Sequence, residues 1–265
     1  MYEFEYHKPS SVADATAAVK GASDGTFMAG GQTLIPTLKQ RLASPSDVID
    51  LGGIAELSGI RQDGNDLVIG AMTTHAEVAS SDVVKQAIPA LAALAEGIGD
   101  PQVRNCGTIG GSVANNDPAA DYPAALVGLG ATVQTDSRSI AADDFFTGLF
   151  ETALGDGELI TEIRFPIPAK ASYQKFPNPA SRYAITGVMV AETADGVRVA
   201  VTGAGSDGVF RASDIESALS GGLSASAVDG VTIAADNLNS DIHASSEYRA
   251  NLVKVMAKRA VAAIA

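Results

Sequence analysis

Residues 108–121 read TIGGSVANNDPAAD, and a second glycine pair lies in the segment AGGQTL at residues 29–34. In both segments the paired glycines stand beside hydroxyl-bearing residues. Glycine lets main-chain N–H groups approach a phosphate closely because it has no Cβ. Two such segments in one domain predict two backbone cradles that close on one anionic ligand, and a cofactor that carries a diphosphate is the natural candidate.

Short structural elements are predicted around both glycine pairs. Residues 26–29 predict a buried strand that leads into the first pair, and residues 33–41 predict the helix that follows it. Residues 102–107 are predicted to form a compact loop before the second pair, because Asp100-Pro101 is typical of a helix end. Residues 123–130 predict a buried helix after it. Both glycine pairs are therefore expected in turns.

A domain boundary is predicted near residue 168. Pro166, Pro168, Pro177 and Pro179 are crowded into one short segment, a density typical of a linker. The predicted domains are therefore residues 1–168 and residues 169–265. In the second domain, two antiparallel strands joined by a short turn and two helices are expected, at residues 185–193, 196–203, 213–219 and 246–264.

Composition argues against several classes of protein. The 31 acidic residues outnumber the 18 basic residues, and the net charge of −13 argues against binding of nucleic acid. The longest apolar stretches fall short of the roughly 20 residues that a membrane span needs. The first residues lack the basic and apolar regions of a signal peptide, so we expect a cytoplasmic protein.

Metal and acid–base chemistry are not expected in this chain. The sequence has one cysteine, Cys106, and three histidines, which cannot build a zinc site or ligate an iron–sulfur cluster. We interpret Cys106 as a small buried thiol and His75 as a helix cap or a buried polar contact. No catalytic residue and no metal ligand is therefore predicted.

A literal GxGxxG pattern occurs at residues 203–208. A dinucleotide site of the Rossmann type would also need a helix that opens at the third glycine and an acidic residue on a following strand. Neither feature is recognisable here, so residues 203–208 are predicted to form a plain turn.

Taken together, residues 29–36, 70–75, 102–105 and 108–121 resemble the FAD-binding medium subunit of the molybdenum hydroxylases, the group of aerobic carbon monoxide dehydrogenase and xanthine dehydrogenase. The resemblance covers nearly the whole chain. It implies an α+β fold in which a two-subdomain FAD-binding domain, like that of vanillyl-alcohol oxidase, precedes a C-terminal domain of antiparallel strands and helices. It also implies non-covalently bound FAD.

The resemblance implies a set of cofactor contacts. Main-chain N–H groups of residues 30–34 and 110–112 would hold the diphosphate, and Gln32, Thr33, Thr108 and Ser112 would add side-chain donors. Thr33 stands where serine is more usual in the family. Ser112 stands where many members of the family have Asn or Asp. The two segments and a nearby polar contact comprise Ala29, Gly30, Gly31, Gln32, Thr33, Leu34, Thr108, Ile109, Gly110, Gly111, Ser112 and Asn115.

Four further residues have implied roles. Asp121 would accept hydrogen bonds from ribityl or ribose hydroxyls, Ile160 would lie against the cofactor, and Tyr183 would cover the isoalloxazine ring. Lys175 would stabilise reduced, anionic flavin through its charge. The residues alone leave other readings open: ordinary core positions for Ile160 and Tyr183, an exposed structural lysine, and helix capping by Asp121 or Asp117.

The resemblance further implies a division of labour. A large subunit would carry the molybdenum cofactor, a small subunit would carry [2Fe–2S] clusters, and this chain would pass electrons through FAD to an external acceptor, in a dimer of heterotrimers. The alternatives are a stand-alone FAD oxidase or dehydrogenase that acts directly on substrate, and a non-redox module that binds a nucleotide diphosphate. The sequence does not reveal the substrate or the acceptor.

Overall fold

A three-stranded parallel sheet opens the chain in the computed structural model, which describes residues 1–264. The first helix of the chain is capped by Ser11, whose side chain accepts a hydrogen bond from the main-chain N–H of Asp14. Ala15 and Val19 are its buried residues and belong to the small core beside the sheet. The elements are β1 (Glu5–His7), α1 (Val12–Gly21), β2 (Gly25–Met28), α2 (Leu34–Lys39) and β3 (Asp47–Asp50), with strand order β1-β3-β2.

A five-stranded antiparallel sheet and a layer of short helices follow. The sheet and the helices share one large apolar core. The strands of the sheet are β4 (Ile60–Asp63), β5 (Asp66–Gly70), β6 (Thr132–Thr135), β7 (Ser139–Ala141) and β10 (Ile160–Pro166), in the order β4-β5-β10-β6-β7. The strands β8 (Phe146–Gly148) and β9 (Glu151–Thr152) form a separate two-stranded sheet. The helices are α3 (His75–Ser80), α4 (Asp82–Ala87), α5 (Pro89–Glu96), α6 (Pro101–Cys106), α7 (Ile109–Asn115), α8 (Tyr122–Leu129) and α9 (Ala142–Phe145).

The loop predicted for residues 102–107 is wrong, because this segment is α6. The side chain of Asp100 accepts from the main-chain N–H of Val103 at 2.9 Å, and Pro101 occupies the first helical position. Asp-Pro therefore starts a helix here instead of ending one, since proline has no N–H to lose at that position.

The turn predicted for the second glycine pair is also wrong. Thr108 is the N-cap of α7, and its side chain accepts from the N–H of Gly111 at 3.1 Å. Gly110 and Gly111 thus lie in the first turn of a helix. Their helical conformation is maintained by tertiary contacts that sequence periodicity does not reveal.

The last third of the chain forms a four-stranded antiparallel sheet with helices against it. Met189 and Ala200 belong to the large core that contains α8, whereas Val188 and Val201 pack in a second core with the last two helices. The predicted strands and helices of this region are confirmed. The elements are β11 (Lys170–Pro177), β12 (Ala184–Thr193), β13 (Gly196–Thr202), β14 (Phe210–Arg211), α10 (Ser213–Leu219) and α11 (Ser246–Ala262).

Two features of this region bear on the predictions. The proline-rich segment is not a long linker, because residues 170–177 are a strand and only residues 167–169 separate it from β10. Residues 203–208 form the predicted turn, and the next helix starts only at Ser213. The division at residue 168 stays a prediction, since one core contains side chains from both sides of it.

The α+β class is confirmed, since the chain combines antiparallel sheets, helices and one small parallel sheet. No helix within residues 1–264 is long and apolar enough to cross a bilayer.

Candidate cofactor site

A cleft of about 880 Å³ lies between the two glycine segments. The loop between β11 and β12 contributes residues 180–183 to its wall. Most of the residues predicted as cofactor contacts line this cleft, and the structure therefore brings them together. The lining residues among them are Ala29, Gly30, Gly31, Gln32, Thr33, Leu34, Thr108, Gly110, Gly111, Ser112, Asn115, Asp121, Ile160 and Tyr183.

Two predicted residues lie behind the cleft wall. Ile109 is fully buried in the large core. Lys175 is only 11% exposed and points to Asp121, so the reading of Lys175 as an exposed structural lysine is wrong. Ile160 is buried and also lines the cleft, so it contributes to the core and to the site.

The first glycine segment offers free main-chain donors. The N–H groups of residues 30–34 donate to no acceptor within residues 1–264. Gly31 has a φ of +69°, in the left-handed region that glycine adopts without strain. A run of unpaired N–H groups that lines a cleft attracts an anionic group such as a phosphate. This geometry matches the role predicted for the first segment.

The second glycine segment is built differently. The N–H of Gly110 donates to the carbonyl of Ala71 at 2.9 Å, that of Gly111 to the Thr108 hydroxyl, and that of Ser112 to the Thr108 carbonyl at 3.0 Å. These main-chain donors are therefore committed within the protein, and their predicted role as free diphosphate donors is wrong. The side chains of Thr108 and Ser112 remain available as hydroxyl donors at the cleft.

Close packing explains the second glycine pair. A Cβ on residue 110 would lie 2.6 Å from the Cβ of Ala71 and 2.7 Å from its carbonyl oxygen. A Cβ on residue 111 would lie 3.3 Å from the Cβ of Ala29, in the first glycine segment. The pair thus lets α7 pack against Ala71, the residue that follows β5, on one side and against the first cradle on the other.

Asp121 is the buried anion of the site. Its side chain is 5% exposed and accepts from the Tyr173 hydroxyl at 2.5 Å and from Lys175 Nζ at 3.1 Å. Lys175 Nζ also donates to the carbonyl of Gly97 at 2.8 Å. Burial raises the pKa of the Asp121 carboxyl, and the neighbouring ammonium and phenol oppose that rise. Lys175 therefore pairs with Asp121 and does not line the cleft, and the roles predicted for both residues toward a flavin stay predictions. Tyr173, the second side-chain donor to Asp121, is absent from the sequence-based prediction.

Helix capping by the two aspartates is not observed. Asp121 precedes α8, but its side chain makes no capping hydrogen bond. Asp117 Oδ1 accepts from the main-chain N–H of Ala119 at 2.8 Å and so closes a local turn. Both aspartates line the cleft, and Asn115 lies there beside them.

Tyr183 lies on the loop between β11 and β12. Its side chain is 50% exposed and lines the cleft, so the alternative that it packs in the core is wrong. The loop is closed by a hydrogen bond from the N–H of Asn178 to the carbonyl of Tyr183, and Arg182 has a φ of +63°. Partial burial raises the pKa of the Tyr183 phenol, and Asp117 and Asp121 add to that rise.

His75 is a lining residue that was predicted only as a cap or a buried polar contact. Thr74 is the N-cap of α3 and forms a reciprocal capping box with Glu77, so His75 is the buried contact. Burial lowers the pKa of His75 to about 4, and Arg104 adds to that effect. Its Nδ1 has no hydrogen-bond partner within residues 1–264. The signature Thr74-x-x-Glu77 could have identified the cap from the sequence.

The prediction that Cys106 is a buried thiol is wrong, because its side chain is exposed. The carbonyl oxygen of Cys106 packs against Gly30, where any Cβ would overlap it. The last turn of α6 is therefore part of the support of the first cradle.

The cleft fits a dinucleotide that contains a diphosphate. Free N–H donors at residues 30–34, the hydroxyls of Thr108 and Ser112, and the buried acid Asp121 match the diphosphate and hydroxyl groups of such a molecule. Ile160 and Tyr183 supply apolar and aromatic surface for a ring system. The fold and the site define a protein that binds a dinucleotide cofactor without using a Rossmann motif.

The chain belongs to the family described as the FAD binding domain in molybdopterin dehydrogenase, whose model matches residues 2–168. FAD is accordingly the cofactor of this chain, and its relatives are named as chains of dehydrogenases.

Relatives match almost end to end. The carbon monoxide dehydrogenase medium chain of Afipia carboxidovorans is 37% identical over 97% of this chain and 95% of the relative. The nicotine 6-hydroxylase medium subunit of Paenarthrobacter nicotinovorans is also 37% identical, with the same coverage of both chains. A chain in the crystal structure of the cyanide-inactivated Cu,Mo-CO dehydrogenase superposes with a TM-score of 0.89 at 36% identity, covering 99% of this chain and 98% of that one. The fold and the family predicted from the sequence are therefore confirmed.

Proposed function

We propose that this chain is the flavoprotein subunit of a molybdenum hydroxylase, which takes electrons from [2Fe–2S] clusters of a partner and passes them to an external acceptor. The observation that carries the proposal is the run of free N–H donors at residues 30–34, which lines one cleft with Asp121. That arrangement would hold a dinucleotide without a basic side chain. The medium-chain relatives that match end to end support the assignment to a complex.

The chain's own residues bind, orient and shield the cofactor. The N–H groups of residues 30–34 would hold the diphosphate, and Thr108 and Ser112 would donate hydroxyl hydrogen bonds to it. Asp121 would accept from a ribityl or ribose hydroxyl, while Ile160 and Tyr183 would exclude water from the ring system. FAD, when bound, supplies the capacity to accept and release electrons. No acid–base residue of this chain is needed.

The partners that we propose carry the other cofactors. A large subunit would hold the molybdenum cofactor and bind substrate, and a small subunit would hold two [2Fe–2S] clusters, in a cytoplasmic dimer of heterotrimers. The single cysteine of this chain supports that division, since an iron–sulfur cluster needs several thiolates. Within residues 1–264 no cluster of His, Cys, Asp and Glu is arranged to hold a metal ion.

The names of the relatives also favour an electron carrier over a substrate-binding oxidase. Two medium subunits with the same identity to this chain are named for carbon monoxide and for nicotine. A chain that bound these substrates itself would need very different pockets. Similar medium chains in both complexes are consistent with substrate recognition on another polypeptide.

Reduction experiments separate the proposal from its alternatives. We expect the purified chain to bind FAD and to lose its flavin absorbance only when co-purified partner subunits and their substrate are added. A chemical reductant serves as the control that the bound flavin is reducible. Bleaching of the isolated chain by that substrate would instead support a stand-alone oxidase. Failure of the chain to bind FAD on reconstitution would overturn the flavoprotein proposal.

A further inference from the structure

Gly187 lies in the middle of β12, a strand whose neighbouring side chains fill the cores on both sides. A glycine inside a buried strand weakens the strand and marks a place where another group approaches closely. A Cβ on residue 187 would overlap the hydroxyl of Tyr173, and it would lie 2.8 Å from Tyr173 Cζ and 3.0 Å from Thr202 Cγ2. The space that glycine leaves is therefore occupied by the end of the Tyr173 ring.

Tyr173 uses this space to reach Asp121. Its hydroxyl donates to Asp121 Oδ1 at 2.5 Å, and Lys175, two residues further along β11, donates to the same carboxylate. Side chains two residues apart in a strand point to the same side of the sheet. Two alternate positions of one strand thus donate to the carboxylate, while Asp121 itself lines the cleft.

We propose that Tyr173 is a positioning residue of the flavin site: its hydroxyl orients the Asp121 carboxylate toward the cofactor, and residue 187 is glycine because a side chain there would displace that hydroxyl. The inference rests on the proposed role of Asp121 as the acceptor for a cofactor hydroxyl. A carboxylate that is held by donors on one side presents its remaining lone pairs in a fixed direction. A ligand hydroxyl then binds without first ordering the side chain.

The charge of Asp121 depends on the groups that face it. These are Lys175 and Tyr173 from β11, Tyr183 from the loop that follows, and Tyr122 beside it on α8. Burial raises the pKa of Asp121, and the Tyr173 hydrogen bond counteracts that rise. Loss of the hydroxyl therefore raises the pKa further, and the carboxylate becomes protonated at a higher pH.

The test measures FAD binding by the full chain. We expect Tyr173→Phe to raise the dissociation constant for FAD by about tenfold, because one hydrogen bond to a charged group supports an effect of that size. We also expect the decline of binding on acidification to begin at a higher pH than in the wild type. The matched control is Tyr6→Phe, because Tyr6 donates to Asp50 Oδ2 at the same 2.5 Å outside the cleft. That variant should bind FAD as the wild type does.

Two further variants make the result decisive. Gly187→Ala should weaken FAD binding in the same direction as Tyr173→Phe, since it displaces the same hydroxyl. Asp121→Asn should weaken binding and should abolish the part of the pH dependence that comes from this carboxyl. Unchanged FAD binding by Tyr173→Phe beside weakened binding by Asp121→Asn would overturn the positioning role and leave the proposed role of Asp121 intact. Unchanged binding by Asp121→Asn would overturn both.

Discussion

The carbonyl oxygen of Cys106 occupies the place that a Cβ on Gly30 would need. The end of α6 therefore packs directly against the segment whose N–H groups face the cleft. Gly111 of α7 approaches Ala29 less closely, since a Cβ on residue 111 would lie 3.3 Å from the Ala29 Cβ. The two glycine segments are thus in contact with one another, and each requires small residues for that reason as well as for its approach to a ligand.

Gly30→Ala tests this contact. We expect the added methyl group to push the first glycine segment away from Cys106, to lower the free energy of unfolding by about 1–3 kcal/mol, and to abolish FAD retention. Gly221→Ala is the matched control, because a Cβ at that position meets no atom. Denaturant unfolding and flavin absorbance after gel filtration measure the two effects. Full flavin content in Gly30→Ala would show that the segment tolerates displacement.

The two glycines of α7 should respond differently to alanine. A Cβ on residue 110 meets the main chain of Ala71, which cannot move aside, whereas one on residue 111 meets mainly the Thr108 side chain at 2.9 Å. We therefore expect Gly110→Ala to destabilise the fold by about 1–3 kcal/mol and Gly111→Ala to cost less. Thermal unfolding of both variants checks the order. A reversed order would contradict the packing described for α7.

Thr108 has a structural role that can be separated from ligand binding. Its side chain caps α7 and lines the cleft, so Thr108→Val should lower the free energy of unfolding by about 1 kcal/mol and also weaken FAD binding. Thr108→Ser keeps the hydroxyl and is the control. Melting curves of the FAD-free and FAD-bound forms distinguish the contributions. Equal FAD affinity in the valine variant would restrict Thr108 to capping.

His75 should make stability depend on pH. Its pKa is about 4 in the folded protein against 6.5 in the unfolded chain, so the unfolded state binds more protons between these values. Its contribution to stability is therefore complete above about pH 6.5 and is lost as the pH falls toward 4, with a slope of up to about 1.4 kcal/mol per pH unit. Urea unfolding of wild type and His75→Gln across this range measures the difference. Parallel pH profiles would contradict a neutral buried His75.

Lys175 should be needed for the charge of Asp121. The pair is nearly inaccessible to solvent, and removal of one partner leaves a buried charge without compensation. We expect Lys175→Met to lower the free energy of unfolding by about 3 kcal/mol. Asp121→Asn in the same background should recover part of the loss, because it removes the unpaired charge. Absence of any recovery in the double variant would show that packing of the lysine stem, not its charge, stabilises the site.

Local patterns were sufficient for much of the fold. The strand–turn–helix order around residues 26–41, the antiparallel pair at 185–203 and the turn at 203–208 were predicted, and the structure agrees on each. Alternation of apolar residues and turn-forming residues carry this information locally. The boundaries moved by one or two residues, as expected when helices and strands fray at their ends.

Other features depended on contacts that are distant in the sequence. Asp100-Pro101 predicts a helix end, but the same pair can also begin a helix, and only the hydrogen bond from Val103 N–H to Asp100 shows that it does so here. The paired glycines at residues 110 and 111 predict a turn, and the low helix propensity of glycine gives no sign of the helix that is found there. Packing against Ala71 and Ala29 overrides that propensity, and no local pattern reports it.

Short strings such as residues 29–36 and 108–121 are specific enough to predict the family, the cofactor and a set of site residues, most of which line the cleft. The tertiary structure decided what those residues do. It leaves the N–H groups of the first segment free and commits those of residues 110–112 within the protein. It also joins Asp121 to Tyr173 and Lys175. The physical reason is that a main-chain donor or a buried carboxylate takes its partners from whatever the fold brings within about 3 Å, and those partners come from distant parts of the chain.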